Sequence, residues 1–267
     1  MNRILITGAA GNIGRTLREG FRGRYPVVRL SDIAAMEAAR PGEELAPADL
    51  TNFAQVEAAM QGVDAVVHLG GISVEDTWEK ILPNSIAGTW NVFEAARRHG
   101  ARRVVYASSH HAVGYYRRAR FIDQTIPVRP DGPYGVSKAF GEAVGRMFAD
   151  KHGMTVACLR IGAFQPRPRD RRQMHVWLSP RDAVQLVGCC IDAPDYHFVV
   201  VYGVSNNLRN RYRNVGIDFL GYRPQDNSEE YAAEIEQTPD SEDVISRQFH
   251  GGPYPQMNFD GDLAKID

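Results

Sequence analysis

The chain has 267 residues, of which 43% are hydrophobic and 24% charged, the proportions of a globular protein and not of a disordered or fibrous one. With 31 Lys and Arg against 32 Asp and Glu, its net charge of −1 excludes a surface built as a whole for nucleic acid or an acidic membrane, so any anion site is local. Cys158, Cys189 and Cys190 are too few for a disulfide framework and lack metal-ligand spacing, and no run is apolar and long enough for a leader core or a membrane span, so the sequence reads as cytoplasmic, reduced and free of metal.

In chain order, apolar runs at Arg3–Thr7, 27–30, 65–69, 103–107 and Thr155–Ile161 read as buried strands, and residues 13–22, 53–61, 84–99 and 134–152 have helical spacing between them. Strict alternation of strand and helix predicts right-handed crossovers and an α/β fold with a doubly wound parallel sheet. After Ile161 the rhythm breaks. Residues 164–175 are rich in proline and arginine and read as a basic loop, followed by a helix over 181–193 and a strand over 197–202. A polar tail from about Thr238, containing HGGPYP, reads as a surface wrap or a subunit contact. The simplest organisation is a single domain, with a nucleotide-binding core over about 1–163 and a substrate-side elaboration over 164–267.

The first strand runs into TGAAGNIGR, which places Gly8, Gly11 and Gly14 between that strand and the first helix. Glycines there let the backbone turn tightly and let a pyrophosphate reach main-chain amides, including those of Asn12 and Ile13 at the helix N-terminus. The second strand ends in Asp32, eighteen residues after Gly14, where a carboxylate accepts from both hydroxyls of an adenosine ribose and repels a 2′-phosphate. The pair predicts NAD rather than NADP. Ile33, Asp49 and Leu50 are expected to flank the adenine, and Leu69, Gly70 and Gly71 to let the cofactor backbone pass closely. Asn84 is expected at the start of the long helix, as a cofactor contact or an N-cap.

Tyr134 and Lys138 stand four residues apart on a predicted helix, so phenol and ammonium share a face. A neighbouring positive charge is expected to bring the phenol's pKa down from about 10 toward the working pH, as a general base requires. The hydroxyl of Ser108 or Ser109, at the end of a strand, is available to hold a substrate oxygen beside it. His68, inside an apolar strand, reads as a core histidine.

The set TGAAGNIG, Asp32, HLGG, ASS and YGVSK resembles the extended short-chain dehydrogenase/reductases over residues 1–165, which implies a Rossmann fold, NAD, and catalytic roles for Tyr134, Lys138 and Ser109. HLGGISVE (68–75), ASSHHAVGYY (107–116), RPDGPYGVSK (129–138), LRIG (159–162), VVYGVS (200–205) and FLGYRPQDNSEE (219–230) further resemble the uronate dehydrogenases and related NAD-dependent sugar C1 dehydrogenases, including haloarchaeal glucose-6-phosphate dehydrogenases. By that resemblance Ser73, Ser109, His111 and Arg172 contact the sugar, Arg172 pairing its carboxylate, and Ile161 lies by the cofactor. Two positions depart from the uronate pattern. His110 stands where that family has Asn, and Ala163 where it has Ser, which removes a hydrogen bond worth about 0.5–1.5 kcal/mol net.

These readings together imply NAD-dependent oxidation at the anomeric C1 of an acidic cyclic aldose, giving an aldonolactone, by a homo-oligomeric enzyme that binds neither nucleic acid nor membrane. Hexuronates rank first as substrate, then hexose phosphates or sulfo-sugars, because the guanidinium of Arg172, or of Arg167, Arg169 or Arg171, suits any such oxyanion. The alternatives are a nucleotide-sugar epimerase or dehydratase of the same fold, and a non-catalytic NAD-binding protein.

Overall fold

The computed structural model describes residues 1–194, 196–239 and 242–266. In chain order the elements are β1 (Arg3–Thr7), α1 (Asn12–Gly20), β2 (Val27–Ser31), β3 (Glu43–Leu45), α2 (Phe53–Met60), β4 (Ala65–His68), α3 (Trp78–Ile81), α4 (Gly88–Arg98), β5 (Arg103–Ser109) and β6 (Ile122–Asp123). They continue as α5 (Pro133–His152), β7 (Thr155–Ile161), β8 (Ala163–Phe164), α6 (Gln173–Val176), β9 (Trp177–Leu178), α7 (Pro180–Asp192), β10 (Phe198–Gly203), β11 (Tyr212–Arg213) and α8 (Ala232–Glu236).

Seven parallel strands form one sheet in the order β3-β2-β1-β4-β5-β7-β10. The order reverses between β1 and β4, which opens a crevice at the carboxyl ends of the strands. Register aligns those ends: Thr7 lies opposite Ser31 and His68, and Ser109 opposite Ile161. The predicted doubly wound sheet is therefore present, and α7 and β10, beyond residue 163, complete it.

Alternation along the strands separates two cores. Ile4, Ile6, Val105 and Leu159 pack with Leu17 of α1, Phe21 just after it, and Leu186 and Ile191 of α7. Leu5, Val104, Tyr106 and Val156 pack on the other face with Met60 of α2, Phe93 of α4 and Phe148 of α5. Each such side chain, fully buried, stabilises the fold by about 1.5–3 kcal/mol.

Edge strand β3, the third strand expected before Asp49, is polar. Its Glu43 pairs with Arg18 at 2.6 Å and its Glu44 with Arg29 at 2.7 Å, so ion pairs hold it where apolar side chains would otherwise mark it. The long helix differs from expectation in its start. It begins at Trp78, widens into a π-turn over Leu82–Ala87 and resumes as α4, so Asn84 lies inside it and donates to the Lys80 carbonyl at 2.9 Å instead of capping an end.

Helix α5 carries the chemistry-bearing face. Pro133 sits in its first turn, Gly153 ends it with φ +65°, and Tyr134, Lys138 and Glu142, one turn apart, are buried against the sheet. Glu142 makes a bidentate pair with Arg160 of β7, both distances 2.9 Å, and accepts from Ser108 Oγ at 2.6 Å, which pins α5 to the ends of β5 and β7.

Candidate functional site

A cavity of about 380 Å³ opens over the carboxyl ends of β1, β4, β5 and β7. One wall is the turn of Gly8, Gly11, Asn12, Ile13 and Gly14, with Leu69 and Ile161 beneath. Gly8 has φ +69°, and a Cβ on Gly14 would stand 2.4 Å from the Gly8 carbonyl, so this turn closes only with glycine. Gly11 occupies the N-cap of α1 with no side-chain cap, and no acidic residue lies in the first turn. Bare amides and the positive end of the helix dipole therefore face the cavity, a cradle suited to the pyrophosphate of a dinucleotide.

Asp32 stands behind that cradle at the end of β2. Its Oδ2 accepts from Ala10 N and its Oδ1 from Ala34 N, both at 2.9 Å, so the carboxylate braces the glycine turn and keeps a lone pair on each oxygen for a ribose. The remaining expected cofactor residues lie outside the cavity lining. Ile33 is 78% exposed, Asp49 accepts from Thr51 in a tight turn, and Leu50 packs against Gly70 and Gly88. Gly70 donates to Thr7 Oγ1, while Gly71, at φ +115°, faces Ser85 and the Asn84 carbonyl. His68 is a satisfied core histidine as expected: its ring nitrogens lie 2.8 Å from Thr7 Oγ1 and 3.2 Å from Thr89 Oγ1, and burial pushes its pKa down to about 3.

The opposite wall brings together Ser109, His110, His111, Tyr134 and Lys138. Ser109 Oγ accepts from His111 N at 3.2 Å, which leaves its hydrogen for the Tyr134 oxygen, and that bond favours the phenolate. Lys138 Nζ donates to the Ala107 carbonyl at 2.9 Å and lies 5.3 Å from the centroid of the Tyr134 ring. The expected acidification of the phenol is corrected here. Burial raises the Tyr134 pKa and outweighs the hydrogen bond from Ser109, and Tyr254, Asp131 and Glu75 raise it further. Burial instead lowers the lysine's own pKa to about 8.

Arg172 reaches the same cavity from the loop before α6, with Ser73 at its rim and Ala163 beside it. Its side chain makes no ion pair among the described residues, whereas Arg167 pairs with Glu234 and Arg171 donates to the Glu236 carbonyl, both tied to the α8 region. Of the loop arginines, Arg172 alone lines the cavity.

The expected surface wrap of the tail is also revised. Pro253 and Tyr254 line the cavity, and the Tyr254 ring stacks on His111 at 4.0 Å and 19°. A Cβ on Gly252 would meet Arg172 Cδ at 2.3 Å and one on Gly251 would meet Asp131 Oδ2 at 1.8 Å, so the Gly-Gly pair lets the tail cross the site. Asp131 was not singled out from the sequence either. It is buried and its Oδ2 lies 2.7 Å from His111 Nδ1.

Among the described residues no group of three or more His, Cys, Asp or Glu could hold a metal ion, and no helix is long and apolar enough to cross a membrane.

A family model described as the NAD dependent epimerase/dehydratase family matches residues 4–179. The uronate dehydrogenase of Pseudomonas putida is 42% identical over 255 residues, 95% of each chain. An NAD-dependent glucose-6-phosphate dehydrogenase of Haloferax volcanii is 38% identical over 257 residues, 87% of this chain and 97% of that one. A tyrosine-to-alanine mutant of uronate dehydrogenase from Agrobacterium tumefaciens, complexed with NAD, superposes with a TM-score of 0.91 at 41% identity, covering 96% of this chain and 97% of that one.

Proposed function

This chain belongs to the NAD-dependent epimerase/dehydratase family and groups within it with the uronate dehydrogenases, and from that premise we propose that it oxidises the anomeric C1 of an acidic cyclic aldose, a hexuronate first, to the aldonolactone. The observation that carries this reading is the convergence on a single cavity, beside the glycine cradle, of Ser109, Tyr134, Lys138 and Arg172, which makes no ion pair among the described residues.

The turn at Gly8, Gly11 and Gly14, with the amides of Asn12 and Ile13, would hold the pyrophosphate of NAD. Asp32 would take the adenosine ribose, with Ile33, Asp49 and Leu50 toward the adenine, and Leu69, Gly70, Gly71, Asn84 and Ile161 along the remainder. Bound there, NAD supplies the acceptor for the hydride from C1. Tyr134 is the base that takes the proton of the C1 hydroxyl, and the C1–O bond becomes the lactone carbonyl. Ser109 donates to the same oxygen, and Lys138 holds positive charge one helical turn from the phenol. Arg172 orients the sugar by its anionic end, with Ser73, His110, His111 and Ala163 around it, and such positioning supplies several kcal/mol of the barrier reduction. In this division residues 1–163 hold the cofactor, and the later part of the chain supplies Arg172 and Tyr254. Hexose phosphates and sulfo-sugars rank next as substrates, because Ala163 carries no hydroxyl and a guanidinium accepts any of these oxyanions.

Leu82 and Trp90, each 43% exposed, and Val136, 41% exposed, on the α4 and α5 side support a homo-oligomer, to be checked by light scattering.

Tyr134→Phe tests the reaction. Hexuronate-dependent NADH formation is expected to vanish while NAD binding, measured by calorimetry, is unchanged; retained turnover would refute the base assignment.

A further inference from the structure

Asp131 precedes α5 and belongs to no step described above. Its side chain is fully buried, its Oδ2 lies 2.7 Å from His111 Nδ1, and its Oδ1 has no hydrogen-bond partner among the described residues. A Cβ on Gly114 or Gly251 would strike Oδ2 at 1.9 or 1.8 Å, and one on Gly135 would approach Oδ1 at 3.0 Å, so three glycines from separate segments wall the carboxyl in. No lysine or arginine forms an ion pair with it among the described residues. A carboxylate in that niche would keep a bare charged oxygen out of water, whereas a carboxylic acid donates its proton to Nδ1 and leaves only a carbonyl oxygen unmatched.

The His111 ring is fixed on every side. Tyr254 stacks on one face at 4.0 Å, His110 lies 4.1 Å away and Tyr134 meets it edge-on at 5.7 Å. Its Nδ1 is taken by Asp131, and its Nε2 has no partner among the described residues while the residue lines the cavity. Arg172 lines the same cavity and makes no ion pair among the described residues.

We propose that Asp131 is held as the neutral acid, fixing His111 as the tautomer with hydrogen on Nε2, so that this N–H and the uncompensated guanidinium of Arg172 together clamp an oxyanion of the sugar. The proposal rests on the anionic-sugar reading above and deepens it: the two groups of the clamp, the neutral His111 N–H and the Arg172 guanidinium, together bring one positive charge to the oxyanion, which suits a monoanionic sugar. Asp131 is in this sense a positioning residue, acting through His111. Burial acts in the same sense on both partners, raising the Asp131 pKa well above the usual carboxylate range and holding that of His111 well below its usual value. The other titratable groups facing the pair are Arg172, Glu75, Tyr115, Tyr134, Tyr212, Tyr254 and His110.

The test combines spectroscopy with kinetics. In the cofactor-free protein labelled with ¹⁵N-histidine, the His111 resonances, assigned by their loss in His111→Asn, are expected to show hydrogen on Nε2 and a bare Nδ1. Hydrogen on Nδ1 would overturn the proposal, and this reading needs no substrate. In Asp131→Asn the amide N–H donates to Nδ1 as the acid does, so KM for a hexuronate at neutral pH stays within about threefold, whereas Asp131→Ala frees the ring and raises KM about tenfold with little change in kcat. In the parent enzyme KM rises on the alkaline side, as Asp131 ionises and offsets Arg172, and that rise is absent in Asp131→Asn. If Asp131 were already ionised at neutral pH, removing its charge would lower KM about tenfold or more, and the parent KM would be flat with pH. The Nε2–H signature without turnover of any anionic sugar would sink the clamp and the proposed substrate class, while leaving the tautomer measured.

Discussion

Lys138→Met separates what the lysine does for catalysis from what it does to the fold. The ammonium is buried against Ala107 and Tyr106, with its one hydrogen bond to the Ala107 carbonyl at 2.9 Å. Burial lowers its pKa from 10.5 to about 8, so at neutral pH the native state holds a charge that the site disfavours by about 3 kcal/mol. Methionine fills a similar volume without charge and gives up the hydrogen bond, worth about 1–2 kcal/mol. The net expectation is a cofactor-free protein stabilised by about 1–2 kcal/mol, a Tm rise of about 2–4 °C in a chain of this size. The sign with pH follows from linkage. Because the folded pKa lies below the unfolded one, the penalty is complete below about pH 8 and is relieved as pH rises toward 10.5, where the native amine is neutral and the unfolded one still protonated. Thermal unfolding of both proteins from pH 7 to 10 is therefore expected to show the variant's advantage shrinking, while its turnover is down by at least about 10²-fold at every pH. A variant less stable than the parent at pH 7, or an advantage that does not close as pH rises, would refute the electrostatic account.

Arg172→Ala is expected to raise KM for a hexuronate about 30-fold, the low end for removing one partner of a charge pair because the site is open to water, and to leave KM for a neutral aldose within about twofold. Steady-state NADH formation with both sugars reads this directly. Asp32→Ala removes the acceptor of the Ala10 and Ala34 amides as well as the proposed ribose contact. It should lower stability by about 1 kcal/mol and shrink the preference for NAD over NADP, measured as the ratio of kcat/KM values. Glu142→Gln leaves the Arg160 guanidinium buried without its counter-charge, and calorimetry should find about 3–5 kcal/mol lost; the double change Glu142→Met with Arg160→Met should cost less than either single one.

The site was legible where its signals are local. Glycines at a strand-to-helix turn, a carboxylate at the end of the next strand and a Tyr and Lys one helical turn apart each declare their geometry within a few residues, because backbone sterics and helix periodicity act at that range. The charge state of Tyr134 was not legible in the same way. Spacing placed the ammonium near the ring but could not show that burial of the tyrosine, only 8% exposed, raises its pKa, since desolvation depends on everything packed around the phenol.

The tail and Asp131 were hidden for a related reason: both act across long sequence separation. Tyr254 meets His111 from 143 positions away, with no periodicity to announce it. The one clue was compositional. Gly251 and Gly252 form a pair in a polar tail, where the backbone both turns, with Gly252 at φ +60°, and passes close to the Asp131 carboxyl and the Arg172 stem. Asp131 in turn sits two residues before Pro133 in DGPYG, a position that reads as an ordinary turn carboxylate until the fold closes Gly114, Gly135 and Gly251 around it. Gly251, which lets the tail pass, thus also helps to keep from this acid the water that would have kept it ionised, which links the path of residues 249–258 to the charge the pocket presents to its sugar.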